Sequence, residues 1–141
     1  MSFDNDCFYC VKDERLTNLM IEICKLEAST LYLFKEQTYK GRCVVAYNRH
    51  KSEPFDLNDE ERSSYMKDVA RVAGALSKAF SPDKINYGAY ADKMTHLHFH
   101  IVPKYKNGPS FGGTFEMSPS DKVLLKDEEY NKLINNIKEN L

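Results

Sequence analysis

The chain has 141 residues, 42% of them hydrophobic and 29% charged, the balance of one globular domain with a core of its own. A formal net charge of −1 excludes the broadly basic surface that nucleic-acid binding needs. Residues 1–10, MSFDNDCFYC, lack the basic-then-apolar pattern of a leader, and no apolar run approaches the roughly 18 residues of a membrane span. The expectation is a soluble cytoplasmic protein, a single domain over residues 1–141, with neither a nucleic-acid nor a membrane partner.

The N-terminal segment carries Cys7 and Cys10 as a C-x-x-C pair among polar and aromatic residues. Nothing indicates secretion, so the four cysteines do not read as two disulfides. Cys24 and Cys43 stand in apolar, strand-like surroundings, where cysteine behaves as a small hydrophobe. The C-x-x-C spacing supplies half of a zinc site. A redox pair and two incidental thiols are the alternatives, although the redox motif normally opens a helix after a strand.

MIEICKLE (20–27) and STLYLFKEQ (29–37) carry β-branched and aromatic residues with partial alternation and predict two strands. KEQTYKG forms the following turn, and RCVVAYN (42–48) is a short buried strand ahead of His50. The clearest helix lies within 56–80. Asn58 can cap it, Asp59, Glu60 and Glu61 place negative charge in its first turn, and Tyr65, Met66, Val69, Val72, Ala73, Leu76 and Phe80 recur at helical spacing. Ser81-Pro82 ends it. KINYGAY (84–90) predicts a fourth strand, ADKMT a loop, and HLHFHIVPKY (96–105) a fifth strand. FGGTFE is a glycine-loosened aromatic loop suited to closing over a ligand or to a dimer surface, and a C-terminal helix opens near Asp127. The order predicts an α+β fold: an antiparallel five-stranded sheet, a central helix on one face and a C-terminal helix.

Three of the four histidines fall at 96, 98 and 100. Alternate residues of a strand share a face about 6.5–7 Å apart, so these imidazoles stand together while Leu97, Phe99 and Ile101 face the helix. They could all bind one metal, but a span of roughly 13 Å strains such a site. The other chemistry divides the work between a nucleophile and its supporting groups.

His96-Leu97-His98-Phe99-His100-Ile101-Val102-Pro103 resembles the signature of the histidine triad superfamily of nucleotide hydrolases and transferases. The resemblance extends to CFYC, to KGRCVVAYNRHKSEPFDLNDEE and to NYGAYADKMTHLHFHIVPKY. It implies that His98 is the nucleophile attacking an α-phosphorus and becoming nucleotidylated, that His100 assists departure of the leaving group, and that Asn86 lies near the phosphate. It also implies a structural zinc ion held by Cys7, Cys10, His50 and His96, a nucleotide as the substrate, and a homodimer. Two positions depart from the commoner family pattern. Lys93 replaces a frequent serine, and Arg42 follows Gly41 where many members have histidine, as in the galactose-1-phosphate uridylyltransferase branch. Both are candidate phosphate-binding cations; their plain alternatives are an exposed loop lysine and a salt-bridged strand-end arginine. A third histidine, where uridylyltransferases have glutamine, favours hydrolysis over transfer. The two cations favour dinucleoside polyphosphates over nucleoside phosphoramidates, and Tyr32 and Phe34 are candidates to stack on a base. A nucleotidyltransferase, a zinc-stabilised nucleotide-binding protein with little turnover, and a zinc hydrolase with the triad as ligands are the alternative functions.

Overall fold

The computed structural model describes residues 3–141; Met1 and Ser2, the start of the segment read for a leader, lie outside the described residues. Strands β1 (Met20–Lys25), β2 (Ser29–Phe34), β3 (Cys43–Tyr47), β4 (Lys84–Gly88) and β5 (His98–Lys104) form one antiparallel sheet in the order β1-β2-β3-β5-β4. The strand carrying His98 and His100 therefore pairs on both sides, with β3 and with β4. Paired backbone on both flanks holds His100, and pairing with β3 holds His98, more firmly than an edge strand would.

The long helix (Asp59–Phe80) is the third α-helix, after two single turns, α1 (Phe8–Val11) and α2 (Glu14–Thr17), and is α3 below. Its start is the expected one: the Asn58 side chain accepts from the Glu61 N–H at 2.9 Å, and the Glu61 carboxylate accepts from the Asn58 N–H at 2.8 Å, a capping box. It stops at Ser81, whose φ of 48° is left-handed. Its apolar stripe, Tyr65, Val69, Val72, Ala73 and Leu76, is buried with Leu31, Leu33, Val45 and Ile101 of the sheet and with Leu97 just before β5, whereas Met66, expected in the stripe, lies on the flank of the helix and is exposed. The Tyr65 hydroxyl donates to the Val45 carbonyl at 2.7 Å, so this aromatic is buried without an orphaned polar tip. Asp68, also on α3, accepts from the Ala28 N–H at 2.8 Å and the Ser29 hydroxyl at 2.6 Å, fastening the β1–β2 turn to the helix. The C-terminal helix α4 (Asp127–Glu139) adds Tyr130, Leu133 and Ile137 to the same core.

The other face of the sheet carries a smaller apolar cluster of Cys7, Tyr9, Leu16, Met20, Tyr32, Val44 and Ala46, and a third of Tyr39, Val102 and Phe115. The N-terminal turns cover one part of this face and the segment after β5 covers another. His98 and His100 lie between them.

The sequence reading missed α1 and α2, which are too short for a helical period; Asp13 caps α2 by accepting from the Arg15 N–H at 3.0 Å. Regular pairing in the fifth strand starts at His98 rather than His96. The Leu97 N–H is diverted to the Lys51 carbonyl and the Tyr47 N–H donates to the Leu97 carbonyl, so His96 leaves the strict alternation and turns toward the N-terminal segment.

Candidate active site and metal centre

His98 faces Ala46 across one strand boundary, and His100 faces Val44 on one side and Gly88 on the other. Small neighbours leave space above the imidazoles. Gly88 is required by close approach: a Cβ there would lie 2.7 Å from Cζ of Phe115, the ring that bounds this space.

Backbone hydrogen bonds set the imidazole tautomers. His98 Nδ1 lies 2.6 Å from the His96 carbonyl oxygen. A carbonyl only accepts, so Nδ1 carries the proton and Nε2 keeps its lone pair. Burial lowers the His98 pKa, against this hydrogen bond, which raises it, so the ring is neutral and nucleophilic at neutral pH. Tyr9 covers one side of it, with ring centroids 4.9 Å apart. His100 is set differently: its Nδ1 lies 3.1 Å from Nη2 of Arg42. Burial, then the Arg42 charge, then His98, pushes the His100 pKa down to about 2.

His98 and His100 line a hollow of about 420 Å³ with Tyr90, Ala91, Lys93, Met94 and Phe115. Exposed Lys93 is thus at the mouth, where a phosphate oxygen could meet its ammonium group. Asn86, half-buried on the edge strand β4, is in an adjoining hollow of about 310 Å³ that shares Tyr90 and Phe115. Arg42 is not on the hollow's surface. It is fully buried behind His100, over the Phe34 ring at 4.1 Å, with Nη2 donating to the Met117 carbonyl at 3.0 Å and Nη1 to that of Glu116 at 3.4 Å. Burial lowers its pKa to about 10, still charged at neutral pH. Of the two base-stacking candidates, Tyr32 is buried beneath Tyr9. Phe34 is half-buried and lines a further hollow of about 260 Å³ with Leu19, Glu36 and Met117. The sequence reading singled out neither Tyr9 nor Met117. Tyr9 stands between the two cysteines, and that position was the one hint available.

Cys7, Cys10, His50 and His96 converge, with one ligand atom from each all within 4.8 Å of one another. His96 Nδ1 is 3.4 Å from Sγ of Cys7 and 3.6 Å from Sγ of Cys10, and His50 Nδ1 is 3.5 Å from Sγ of Cys10. Around a tetrahedral zinc ion, sulfur and nitrogen ligands stand about 3.6 Å apart, from bond lengths of roughly 2.3 and 2.05 Å. His96 Nε2 lies 2.6 Å from the Tyr47 carbonyl, so the proton is on Nε2 and Nδ1 offers its lone pair to the cluster. The Asp4 carboxylate lies 3.7 Å from His50 Nε2, beyond hydrogen-bond distance but beside the nitrogen that faces away from the cluster. The donor set fits a closed four-ligand metal site.

A family model described as HIT domain matches residues 13–107. The chain belongs to the HIT family. Among curated HIT relatives, Protein hit of Bacillus subtilis is 28% identical over 64% of this chain and 66% of its own length. The adenosine 5'-monophosphoramidase hnt1 of Schizosaccharomyces pombe is 25% identical over 80% of this chain and 88% of its own length. Among solved structures, a histidine triad protein of Sinorhizobium meliloti superposes with a TM-score of 0.84 at 25% identity, covering 92% of this chain and 95% of that one. A zinc-bound HIT family protein of Mycobacterium smegmatis matches with a TM-score of 0.65 at 18% identity, covering 94% of each chain. The HIT fold of this chain is thus the five-stranded sheet with α3 across its core face, and the triad histidines stand on the opposite face. No helix among the described residues is long and apolar enough to cross a membrane.

Proposed function

We propose that this HIT protein is a nucleotide hydrolase that attacks an α-phosphate through a nucleotidyl-histidine intermediate on His98. The observation that carries this reading is the fixed tautomer of His98: the His96 carbonyl holds the proton on Nδ1 and leaves the Nε2 lone pair directed to a hollow bounded by His100 and Lys93. Nε2 forms a bond to the α-phosphorus as the bond to the leaving oxygen breaks. Water then displaces His98, and the electron pair of the P–N bond returns to Nε2. Covalent catalysis of this kind divides one difficult displacement into two easier ones. Lys93 and Asn86 are the phosphate-binding candidates, and the adjoining hollows beside Phe34 and Asn86 have room for the nucleoside and the leaving group.

Cys7, Cys10, His50 and His96 would hold a zinc ion, whose contribution is structural because all four positions are filled by the protein. By anchoring His96, it would also anchor the carbonyl that orients His98. A homodimer is part of this reading; the edge strand β4 with exposed Tyr87 offers the second copy an unpaired backbone.

The names of the fission-yeast relative and of its budding-yeast counterpart, both adenosine 5'-monophosphoramidases, support nucleoside phosphoramidates as a second substrate class beside dinucleoside polyphosphates. The test is acid-free quenching of a reaction with excess nucleotide, followed by peptide mass spectrometry. A nucleotidyl adduct is expected on His98, with His98→Gly losing both adduct and turnover while nucleotide binding persists. Normal kcat in His98→Gly would defeat the covalent mechanism.

A further inference from the structure

Arg42 is one of the largest fully buried side chains of the protein, and its guanidinium meets the imidazole that stands beside the nucleophile. A guanidinium has five donors and no acceptor and keeps its proton in proteins. The 3.1 Å contact between Nη2 and His100 Nδ1 is therefore a hydrogen bond in one sense only: Arg42 donates and Nδ1 accepts. Nδ1 must be unprotonated, and the single proton of the ring must be on Nε2. The guanidinium is itself held in register by the carbonyls of Glu116 and Met117 and by the Phe34 and Phe115 rings. It cannot swing away without breaking those contacts.

We propose that Arg42 fixes His100 as a neutral imidazole that donates a hydrogen bond from Nε2 but transfers no proton, so that this active site favours leaving groups able to depart as anions. The inference rests on the reading of His98 as nucleophile. The chemistry follows from the two tautomers. His98 Nε2 bonds to phosphorus, the bond from phosphorus to the leaving oxygen breaks, and its electron pair stays on that oxygen. Surrendering the Nε2 proton of a neutral ring would leave an imidazolate. Taking up a second proton at Nδ1 is blocked by the cation already there. His100 can stabilise the departing charge through Nε2–H, as neutral histidine electrophiles do, but the leaving group receives no proton from it. A phosphate or polyphosphate tolerates such a departure. An amine does not, since it must be protonated to leave. In the second half-reaction water gives its hydroxyl to phosphorus and its remaining proton to solvent, and the P–N electron pair returns to His98. The titratable groups facing His100 are Arg42 and His98, with Phe34 and Phe115 completing its surroundings; Glu36 stabilises the charge of Arg42.

Arg42 is thus a positioning residue and not a phosphate ligand. The direct test is nitrogen-15 NMR of the metal-loaded wild-type protein, with the His100 signals assigned by their loss in His100→Asn. Unprotonated Nδ1 and protonated Nε2 are expected at neutral and mildly acid pH; a protonated Nδ1 would overturn the proposal without any variant having to fold. The kinetic test compares kcat/KM for a dinucleoside polyphosphate and an adenosine phosphoramidate. General acid catalysis is worth on the order of a hundredfold or more, so the amine leaving group should lag by about that factor. Arg42→Met, which frees His100 to protonate, should narrow the gap by at least about tenfold, whereas Arg42→Lys should largely preserve it. Equal kcat/KM for both substrates in the wild type would also overturn the proposal. Failure of the covalent reading would remove the His98 adduct and leave the His100 tautomer unchanged. Failure of the present proposal would do the reverse.

Discussion

Lowering the pH should destabilise this protein through His100, by an amount the structure allows one to work out. In the unfolded chain an imidazole titrates near pH 6.5; in the fold, burial and then Arg42 push His100 down to about 2. Between those two values the unfolded state binds the extra proton, so stability falls with falling pH. The contribution is complete above about pH 6.5 and is lost progressively toward pH 2. At about pH 5 the loss is some 1.5 pH units of protonation, or about 2 kcal/mol at 1.36 kcal/mol per unit. His100 is only 5% exposed, so solvent screening takes little from that figure. The control is His100→Asn, which cannot titrate but can place an acceptor oxygen near the position of Nδ1 for Arg42. Urea unfolding of the metal-loaded proteins, followed by far-ultraviolet circular dichroism at about pH 8 and pH 5, gives the comparison. The wild type should lose about 2 kcal/mol more than the variant across that interval. Parallel losses would refute the reasoning, because His100 would then be as easily protonated inside the fold as outside it, and the Arg42 contact could not be what the structure indicates.

Protein purified without chelator should carry about one zinc ion per chain. Cys7→Ser or Cys10→Ser should lose it and lower Tm, with catalysis impaired only secondarily; unchanged zinc in both variants, by elemental analysis, would refute the ligand set. Asp68→Ala removes the buried carboxylate that accepts two hydrogen bonds at the β1–β2 turn and should cost about 1–3 kcal/mol in chemical denaturation while leaving KM close to wild type. A loss below the resolution of that measurement would mean that the turn stands without the helix.

Much of this molecule is determined locally and is visible in the chain. The alternation of HFHIVPK (98–104) separates His98 and His100 from Phe99 and Ile101 because strand geometry leaves no other choice. The start and end of α3 are written in Asn58, the three acids after it, and Ser81-Pro82, since capping and proline sterics act over a few residues. The four residues of the candidate metal cluster could be named from spacing and family resemblance together. What remained undecided depended on pairing between distant segments. The resemblance already gave His96 to the cysteines, but how the strand releases it was decided by the loop after β3, where the Lys51 carbonyl takes the Leu97 N–H. The sequence placed Arg42 and Lys93 on equal terms as cations near phosphate. The tertiary structure separates them: Lys93 opens onto the hollow, and Arg42 is buried among Phe34, His100 and the backbone of Glu116 and Met117. No local rule could have distinguished the two, because burial of a charge depends on donors and acceptors contributed by chain more than seventy residues away. The protonated nitrogen of each triad histidine was likewise outside the reach of the sequence. Residue type says only that an imidazole can carry a proton on either nitrogen. The carbonyls of His96 and Tyr47 and the guanidinium of Arg42 decide which one does.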